Sequence, residues 1–195
     1  MQLKKELYII GIGSMGETIL EKFTKTTKNI KCLNINGYPE RRGCSKQMSY
    51  KYLDLNGSSE MIMDNLMKEL HPIENKKIVM ISGLGGRTSK DYFEKITYKL
   101  MDLRCDFYLI GTIPFKFEGI PSLNRAIPTI KRLHHLHNFK LIDNDSTMRL
   151  YSKNPTLKEA LNIIDNVILK VLEGVCEEVG SLKMLDDVGL CGKLC

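Results

Sequence analysis

Residues 7–16 read L-Y-I-I-G-I-G-S-M-G, and this stretch decides the fold class. Four apolar residues of strand type run into Gly11, and a helix-forming segment from Met15 to Thr26 follows the glycines. The G-x-G-x-x-G pattern between a strand and a helix removes side chains where backbone N–H groups meet a phosphate. The stretch therefore predicts a βαβ unit with a phosphate-binding turn; a glycine turn that serves only helix packing is the alternative.

A second glycine turn of the same kind follows later in the chain. The apolar run I-V-M-I at 78–81 predicts a buried parallel strand, and G-L-G-G at 83–86 separates it from a predicted helix over 89–103. Because predicted strands and helices alternate along the chain, the sequence predicts a single α/β domain, a three-layer, Rossmann-like parallel sheet with helices on both faces. The further predicted elements are strands at 30–36, 107–110 and 141–142, helices at 60–70 and 155–179, a loop with Pro114 and Pro121 that is followed by a helix to about His137, and a surface loop at 37–49.

Length and composition fit one soluble domain. The chain has 195 residues, of which 43% are hydrophobic and 27% charged, and we assign 1–180 to the domain and 181–195 to a tail. No apolar run approaches the roughly 18 residues needed to span a bilayer. The net charge of +6 is spread along the chain without a nucleic-acid-binding module, so we expect no nucleic-acid partner. Six scattered cysteines favour reduced thiols and a cytoplasmic location.

The first glycine turn alone also fits an NAD(P)-dependent oxidoreductase. Such sites carry an acid at the end of the second strand, where it holds the ribose hydroxyls. That place reads N-I-N-G at 34–37, and Arg41 with Arg42 beyond it fits at best a phosphorylated dinucleotide. The second glycine turn has no role in that interpretation. Two phosphate-binding turns on adjacent strands, which hold one triphosphate from both sides, explain both motifs.

Four segments in order along the chain resemble the FtsZ/tubulin family. They are I-I-G-I-G-S-M-G, like its first glycine loop; I-S-G-L-G-G-R-T, like its glycine-rich signature; T-I-P-F-K-F-E-G at 112–119, like its proline and ribose loop; and A-L-N-I-I-D-N-V at 160–167, like its long central helix. The P-F-x-F-E-G string is the most specific. The resemblance covers almost the whole chain and implies a domain like the N-terminal GTP-binding domain of FtsZ without the C-terminal domain. GTP or GDP is the implied ligand, with Mg²⁺ as an accompanying ion.

The resemblance also implies roles for individual residues. Glu118 would bind the ribose, Asn144 would reach ribose or base, and Asp165 would accept from the guanine amide and amine. A carboxylate accepts from both N–H groups of guanine's Watson–Crick edge, and adenine offers no such pair, so Asp165 would set base preference. A solvated or helix-paired acid is the alternative for Asp165. The predicted nucleotide-binding residues are Gly11, Gly13, Ser14, Met15, Gly16, Gly83, Gly85, Gly86, Arg87, Thr88, Pro114, Glu118, Asn144, Leu161 and Asp165.

Several positions depart from the family's pattern. Glu17 adds a negative charge after the first loop, which would weaken phosphate binding or require a metal. Residues 85–91 read G-G-R-T-S-K-D, so side chains replace three glycines of the family's second signature. Leu161 stands where the family has an aromatic residue that stacks on the base, and Ser122 stands where it has an arginine.

Hydrolysis and association are the remaining expectations. Asp187 would be a remnant of the loop that orients water in a neighbouring subunit's site, and since water activation demands tight positioning, GTP hydrolysis is expected to be weak or absent. The helix at 155–179 is apolar on nearly all sides, which predicts a homo-oligomer or an FtsZ-like partner on its uncovered side. A non-hydrolysing binding or regulatory module of the same fold is the alternative. The sequence shows no complete set of four metal ligands, so we predict no metal site formed by protein side chains.

Overall fold

The fold is a parallel sheet with helices on both faces. The computed structural model describes residues 6–27, 30–36, 51–53, 58–72, 76–151 and 154–178; the predicted loop at 37–49, the tail at 181–195 and Asp187 lie outside them. The strands are β1 (Glu6–Ile12), β2 (Lys31–Ile35), β3 (Lys51–Leu53), β4 (Lys76–Gly83), β5 (Asp106–Ile113) and β6 (Phe139–Asp143). The helices are α1 (Gly13–Thr26), α2 (Ser59–Leu70), α3 (Arg87–Asp102), α4 (Ile120–Leu133), α5 (Asn144–Tyr151) and α6 (Leu157–Glu178), and a short 3-10 turn covers Lys116–Glu118.

All strand pairs are parallel, and the order across the sheet is β3-β2-β1-β4-β5-β6. The chain moves outward from β1 to β3 and then returns to place β4 on the other side of β1. This reversal opens a crevice beyond the carboxyl ends of β1 and β4, which is where open α/β sheets bind ligands. The predicted three-layer α/β class is therefore confirmed, and both glycine turns lie at the reversal.

Two hydrophobic layers cover the sheet. Side chains alternate along each central strand, so that Ile10 and Met80 pack with α2, α3 and α4 on one face, whereas Ile9 and Ile81 pack with α1 and α6 on the other. Both faces of β1 and β4 are buried, which explains why these strands read as continuous apolar runs. Among the described helices, none is both long and apolar enough to cross a membrane.

Some element boundaries differ from the sequence prediction. Helix α6 begins at Leu157 rather than at residue 155, because Thr156 forms its cap: the Thr156 N–H and hydroxyl each donate to Glu159 Oε2 at 2.7 Å. These hydrogen bonds lower the pKa of Glu159. Helix α4 ends at Leu133, four residues before the predicted end at His137. The short elements β3 and α5 were missed by the sequence analysis, since three and eight residues carry little periodicity.

The apolar surface of α6 is largely covered within the described part of the chain. Ile164, Ile168 and Leu172 are buried in the sheet-side core, and other apolar side chains along the helix are half-buried because α1 and α5 pack against it. The outward positions are polar or small: Asn162, Asn166, Lys170, Gly174 and Glu177 are exposed. The predicted uncovered apolar side is therefore absent from these residues, and the exposed leucines of α6 are confined to its N-terminal end.

Candidate functional site

A cavity of about 530 Å³ lies at the carboxyl edge of the sheet, in the crevice formed by the strand reversal. This volume is in the range of small-molecule and cofactor sites. The first and second glycine turns form its floor, the loop after β5 forms one wall, and the N-terminal part of α6 forms another. Its lining residues are Ile12, Gly13, Ser14, Met15, Asn36, Gly83, Gly85, Gly86, Arg87, Thr88, Ser89, Thr112, Pro114, Phe115, Phe117, Glu118, Asn144, Leu157, Leu161, Ile164 and Asp165.

The first glycine turn delivers the N-terminus of α1 to the cavity. Gly13 has a φ of +73°, a left-handed conformation that side chains disfavour, and α1 begins at this residue. The N-cap position is Ile12, which offers no side-chain hydrogen bond, and the first turn contains no acid. The first N–H groups of α1 therefore lack a capping side chain and carry the positive end of the helix dipole.

The second glycine turn delivers α3 in the same way. Its own hydrogen bonds run from Leu84 N to Thr112 O and from Gly86 N to Gly83 O, both at 3.0 Å. The N-cap of α3 is Gly86, again without a side-chain hydrogen bond and without an acid in the first turn. Helix α2, which is remote from the cavity, shows the contrast: Ser58 Oγ accepts from the N–H of Met61 at 3.2 Å, and an acid lies in its first turn.

The two turns adjoin each other. A Cβ atom placed on Gly83 would lie 3.4 Å from Met15 Cβ, and one placed on Gly13 would lie 3.7 Å from Thr88 Cβ. Two helix N-termini without side-chain caps thus meet at one cavity, which is an arrangement that binds anions. Arg87 at the start of α3 lines the cavity and is exposed, so its guanidinium adds a positive charge there.

Arg125 of α4 holds the second turn from behind. Its Nε atom donates to the carbonyl oxygen of Gly85 at 2.6 Å, and its Nη2 atom donates to Ser122 Oγ at 2.9 Å. The sequence analysis noted that Ser122 stands at the family's arginine position. The structure shows that an arginine one helical turn later reaches back to that same serine. The backward tilt of side chains along a helix explains this placement.

Of the polar side chains at the end of β6 and directly after it, some form hydrogen bonds within the protein and one lines the cavity. Asp143 caps α5, since its Oδ1 accepts from the N–H groups of Asp145 and Ser146, and Asp145 Oδ2 accepts from the N–H of Lys116 at 2.8 Å. Asn144 remains: it lines the cavity, is 6% exposed, and its Oδ1 has no hydrogen-bond partner among the described residues. A buried amide oxygen without a partner costs free energy unless a ligand or water satisfies it.

Three further predicted residues lie on the walls formed by the loop after β5 and by α6. Glu118 lines the cavity while its Oε1 accepts from the N–H of Phe115 at 2.9 Å, so this carboxylate also stabilises the loop. Leu161 is 47% exposed and presents an aliphatic surface to the cavity. Asp165 lines the cavity one turn further along α6, and the ammonium of Lys22 lies 2.8 Å from its Oδ2.

Glu17 does not present its charge to the cavity. Its side chain is 2% exposed, and its Oε2 accepts from Asn36 Nδ2 at 2.7 Å. The expected effect of this carboxylate on phosphate binding stays a prediction; Glu17 itself is not among the lining residues, whereas its partner Asn36 is. Asn36 directly follows β2, at the position where an NAD(P)-dependent oxidoreductase has the acid that binds the ribose. Here the Asn36 amide donates to Glu17 instead.

Thirteen of the fifteen predicted binding residues line the cavity, and two do not. Gly11 and Gly16 pack against each other: a Cβ on Gly11 would lie 2.7 Å from the carbonyl oxygen of Gly16. Their lack of side chains serves the close approach of β1 and α1. Lys90 of α3, a second basic residue close to the glycine turn, is also not among the lining residues. Eight lining residues were not predicted, and five of them directly adjoin predicted ones: Ile12, Ser89, Phe115, Phe117 and Ile164 do, whereas Asn36, Thr112 and Leu157 do not.

The comparisons with known proteins point to FtsZ. FtsZ of Aquifex aeolicus is 25% identical over 118 residues, which are 60% of this chain and 32% of that protein. FtsZ of Helicobacter pylori strain 26695 is 30% identical over 105 residues, or 53% of this chain and 27% of that protein. The chain thus matches about a third or less of the length of these curated relatives. No protein-family model matches it.

Solved structures share the fold over most of the chain. An FtsZ dimer from M. jannaschii has a TM-score of 0.75 at 20% identity and covers 97% of this chain and 59% of the other. TubZ of Clostridium botulinum phage c-st has a TM-score of 0.66 at 13% identity and covers 92% of this chain and 62% of the other. CetZ from Methanosaeta thermophila has a TM-score of 0.68 at 16% identity, covering 93% and 56%.

The sheet order, the paired glycine turns and these similarities show the fold of the FtsZ/tubulin nucleotide-binding domain. Within that class the detectable sequence similarity is to FtsZ, over about 60% of this chain.

Proposed function

We propose that this chain binds a guanine nucleotide, GTP or GDP, in the cavity at the carboxyl edge of the sheet. The observation that carries the proposal is the meeting of two helix N-termini that have neither capping side chains nor acids in their first turns. A polyphosphate at this point would accept hydrogen bonds from both sets of backbone N–H groups, and Arg87 would compensate part of its charge.

The remaining lining residues fit the rest of a nucleotide. The phosphate end of the cavity lies at the glycine turns, and the wall formed by α6 lies beyond it with Leu161 and Asp165. Asn144 would satisfy its unpartnered amide oxygen on ribose or base, and Glu118 would bind the ribose. Leu161 would pack on the base through its exposed aliphatic surface, while Asp165 would accept from the N–H groups of the purine edge.

Mg²⁺ would be held mainly by the nucleotide. The described residues contain no group of three or more histidine, cysteine, aspartate or glutamate side chains that could hold a metal ion. Mg²⁺ keeps several waters and commonly uses substrate phosphates with only one or two carboxylates, so this protein surface is compatible with an ion that arrives with the phosphates.

GTP hydrolysis is proposed to be weak or absent. Arg87 and Ser89 line the proposed phosphate site at positions where the family's second signature has glycine, and water activation depends on precise positioning. Asp187 is the proposed catalytic residue, acting on the site of a neighbouring subunit. A module that binds nucleotide without hydrolysis is the second candidate, favoured by the same side chains.

Association and cellular role are proposed from the comparisons. One similar structure is named as an FtsZ dimer, others as TubZ protofilaments and a PhuZ filament, and the curated relatives are named as cell division proteins. By analogy this chain would associate with itself or with an FtsZ-like partner in the cytoplasm and would act in cell division. Sedimentation with and without GTP measures this association, and a monomer in both conditions at high concentration would contradict it.

Nucleotide binding is tested by identifying copurified nucleotide and by titrating nucleotide-free protein with GTP. Thr88→Glu adds an acid to the first turn of α3 at the cavity, and we expect it to lower GTP affinity at least roughly tenfold because like charges would face each other. The matched control is Ser59→Glu, which adds an acid to the first turn of α2, remote from the cavity, and should leave affinity unchanged. Equal affinities for the two variants would rule out the proposed phosphate position.

Turnover is measured as phosphate release by the wild type and by Asp187→Asn. A slow release that the substitution removes supports the catalytic role of Asp187. GTP binding without release supports the non-hydrolysing module, and failure to bind GTP at millimolar concentration rejects both candidates.

A further inference from the structure

Arg87 is the first residue of α3, a position where a cation does not stabilise the helix. The N-terminus of a helix carries the positive end of the helix dipole, which attracts acids and repels cations. Helix α3 nevertheless begins with Arg87, carries Lys90 one turn later and has no acid in its first turn. Helix α2, which is remote from the cavity, has Glu60 in its first turn instead. The charge of Arg87 is therefore not explained by the stability of α3.

Arg87 also has no structural partner in the part of the chain that the structure describes. Its side chain is exposed, and no hydrogen bond or ion pair joins it to another described residue. Arg125 shows the contrast at the same glycine turn, because its Nε atom donates to the carbonyl oxygen of Gly85 at 2.6 Å. Since Arg87 lines the cavity, its guanidinium is available to a ligand there.

A second feature of the same cavity indicates a ligand independently. Asn144 of α5 is 6% exposed, and its Oδ1 has no hydrogen-bond partner among the described residues. Native proteins satisfy nearly all buried polar atoms, so this oxygen calls for a donor from outside the chain. Asn144 and Arg87 lie on different helices and both line the cavity. A ligand with a hydrogen-bond donor and an anionic group would satisfy both.

The layers of the fold place Arg87 at the far end of the cavity from the proposed base site. Helices α1 and α6 pack on one face of the sheet, whereas α3 packs on the other face. Leu161 and Asp165, the proposed contacts of the base, belong to α6. A nucleotide whose base lies against α6 would pass the N-terminus of α1 and cross the edge of the sheet. Its last phosphate would then reach the N-terminus of α3 and face Arg87.

We propose that Arg87 makes this chain selective for nucleoside triphosphates over diphosphates. The guanidinium can donate two parallel hydrogen bonds to the oxygens of a terminal phosphate and compensate its charge. GTP and GDP share the base, the ribose and the first two phosphates, so only GTP would place a phosphate against Arg87. The proposal rests on the proposed binding of a guanine nucleotide in this cavity. It adds a ratio of two affinities, which that binding alone does not predict.

The experiment titrates the nucleotide-free full chain with GTP and with GDP in buffer without Mg²⁺, so that no metal ion competes with Arg87 for the terminal phosphate. We expect the wild type to bind GTP at least about tenfold more tightly than GDP, the lower end of the effect of a hydrogen bond to a charged group. In Arg87→Gln this preference should fall about tenfold. Effects of the substitution that act equally on the two nucleotides cancel in the ratio.

Lys90→Gln is the matched control. Lys90 lies one turn from Arg87 on the same helix, is exposed and does not line the cavity, so this variant removes the same charge outside the site. It should keep the preference of the wild type for GTP within about threefold. Urea unfolding without nucleotide is the second measurement. Arg87→Gln should be at least as stable as the wild type, because a cation leaves the positive end of the helix dipole, whereas the loss of a structural arginine would lower the stability.

Three results would overturn the proposal. The first is a wild type that binds GTP and GDP within about threefold of each other, and the second is a folded, GTP-binding Arg87→Gln protein that keeps the wild-type ratio. The third is an equal loss of preference in Lys90→Gln, which would assign the effect to charge near the helix end rather than to Arg87. In each of these cases GTP still binds, and the proposed nucleotide site stands. If the wild type binds neither nucleotide at millimolar concentration, the proposed function itself fails, and the role of Arg87 fails with it.

Discussion

Gly11 and Gly16 are predicted to be required for packing rather than for ligand contact, and alanine substitution tests this. A Cβ on Gly11 would lie 2.7 Å from the carbonyl oxygen and 2.8 Å from the carbonyl carbon of Gly16, closer than real Cβ atoms approach backbone. A Cβ on Gly16 would lie 2.7 Å from Gly11 C and 2.9 Å from the carbonyl oxygen of Ile81. These neighbours are backbone atoms of β1, α1 and β4, so relief requires the helix to move away from the sheet.

The expected cost follows from the size of this overlap. Forcing an added carbon into a well-packed interior costs about 1–3 kcal/mol, and occasionally more. In a domain of 150–250 residues each 1 kcal/mol corresponds to roughly 2–4 °C in Tm, so Gly11→Ala should lower Tm by about 2–12 °C. Gly174→Ala is the matched control, because a Cβ there meets nothing within 4 Å at an exposed position in α6. It should raise stability by about 0.5–1 kcal/mol through helix propensity.

The assay is thermal and urea unfolding followed by far-UV circular dichroism, for wild type, Gly11→Ala and Gly174→Ala. The same substitution must then change stability in opposite directions at the two positions. A Gly11→Ala protein within about 0.5 kcal/mol of the wild type, the range of neutral surface substitutions, would refute the close contact between β1 and α1. A destabilised Gly174→Ala protein would show that its surroundings are not open.

Four further predictions concern individual side chains. Arg125→Ala should weaken GTP binding roughly tenfold in a titration, because the guanidinium no longer holds the Gly85 carbonyl; unchanged affinity would show that the turn keeps its shape alone. Lys76→Met should lower the free energy of unfolding by about 1–3 kcal/mol in urea, since two backbone carbonyls lose their ammonium donor; an unchanged midpoint would contradict this. Burial raises the pKa of the Cys32 and Cys176 thiols from 9.0 to about 12, so the unfolded state loses protons first and stability should fall as the pH rises from 9.0 towards 12. Peptide mapping should find both thiols unmodified by maleimide at neutral pH until the protein unfolds, and rapid labelling of the folded protein would refute their burial.

The sequence determined the fold class and the location of the cavity. Continuous apolar strands alternating with helices require a parallel sheet covered on both faces, and the carboxyl ends of parallel strands meet at one edge. Residues that directly follow β1, β4 and β5 were therefore predictable as neighbours in space. Short elements such as α5 were not, because eight residues do not show a clear period.

Only the tertiary structure decided which partner each polar side chain takes. Lys22 and Asp165 are 143 positions apart in sequence, and no local pattern predicts that α1 and α6 bring them to 2.8 Å. Glu17 follows the first glycine turn, yet its carboxylate is buried, accepts a hydrogen bond from Asn36 Nδ2 and does not line the cavity. Local sequence determines where the backbone places a residue, whereas the direction and the partner of its side chain depend on packing between distant elements. The position of the cavity was therefore predictable from the sequence, and the hydrogen bonds of its side chains were not.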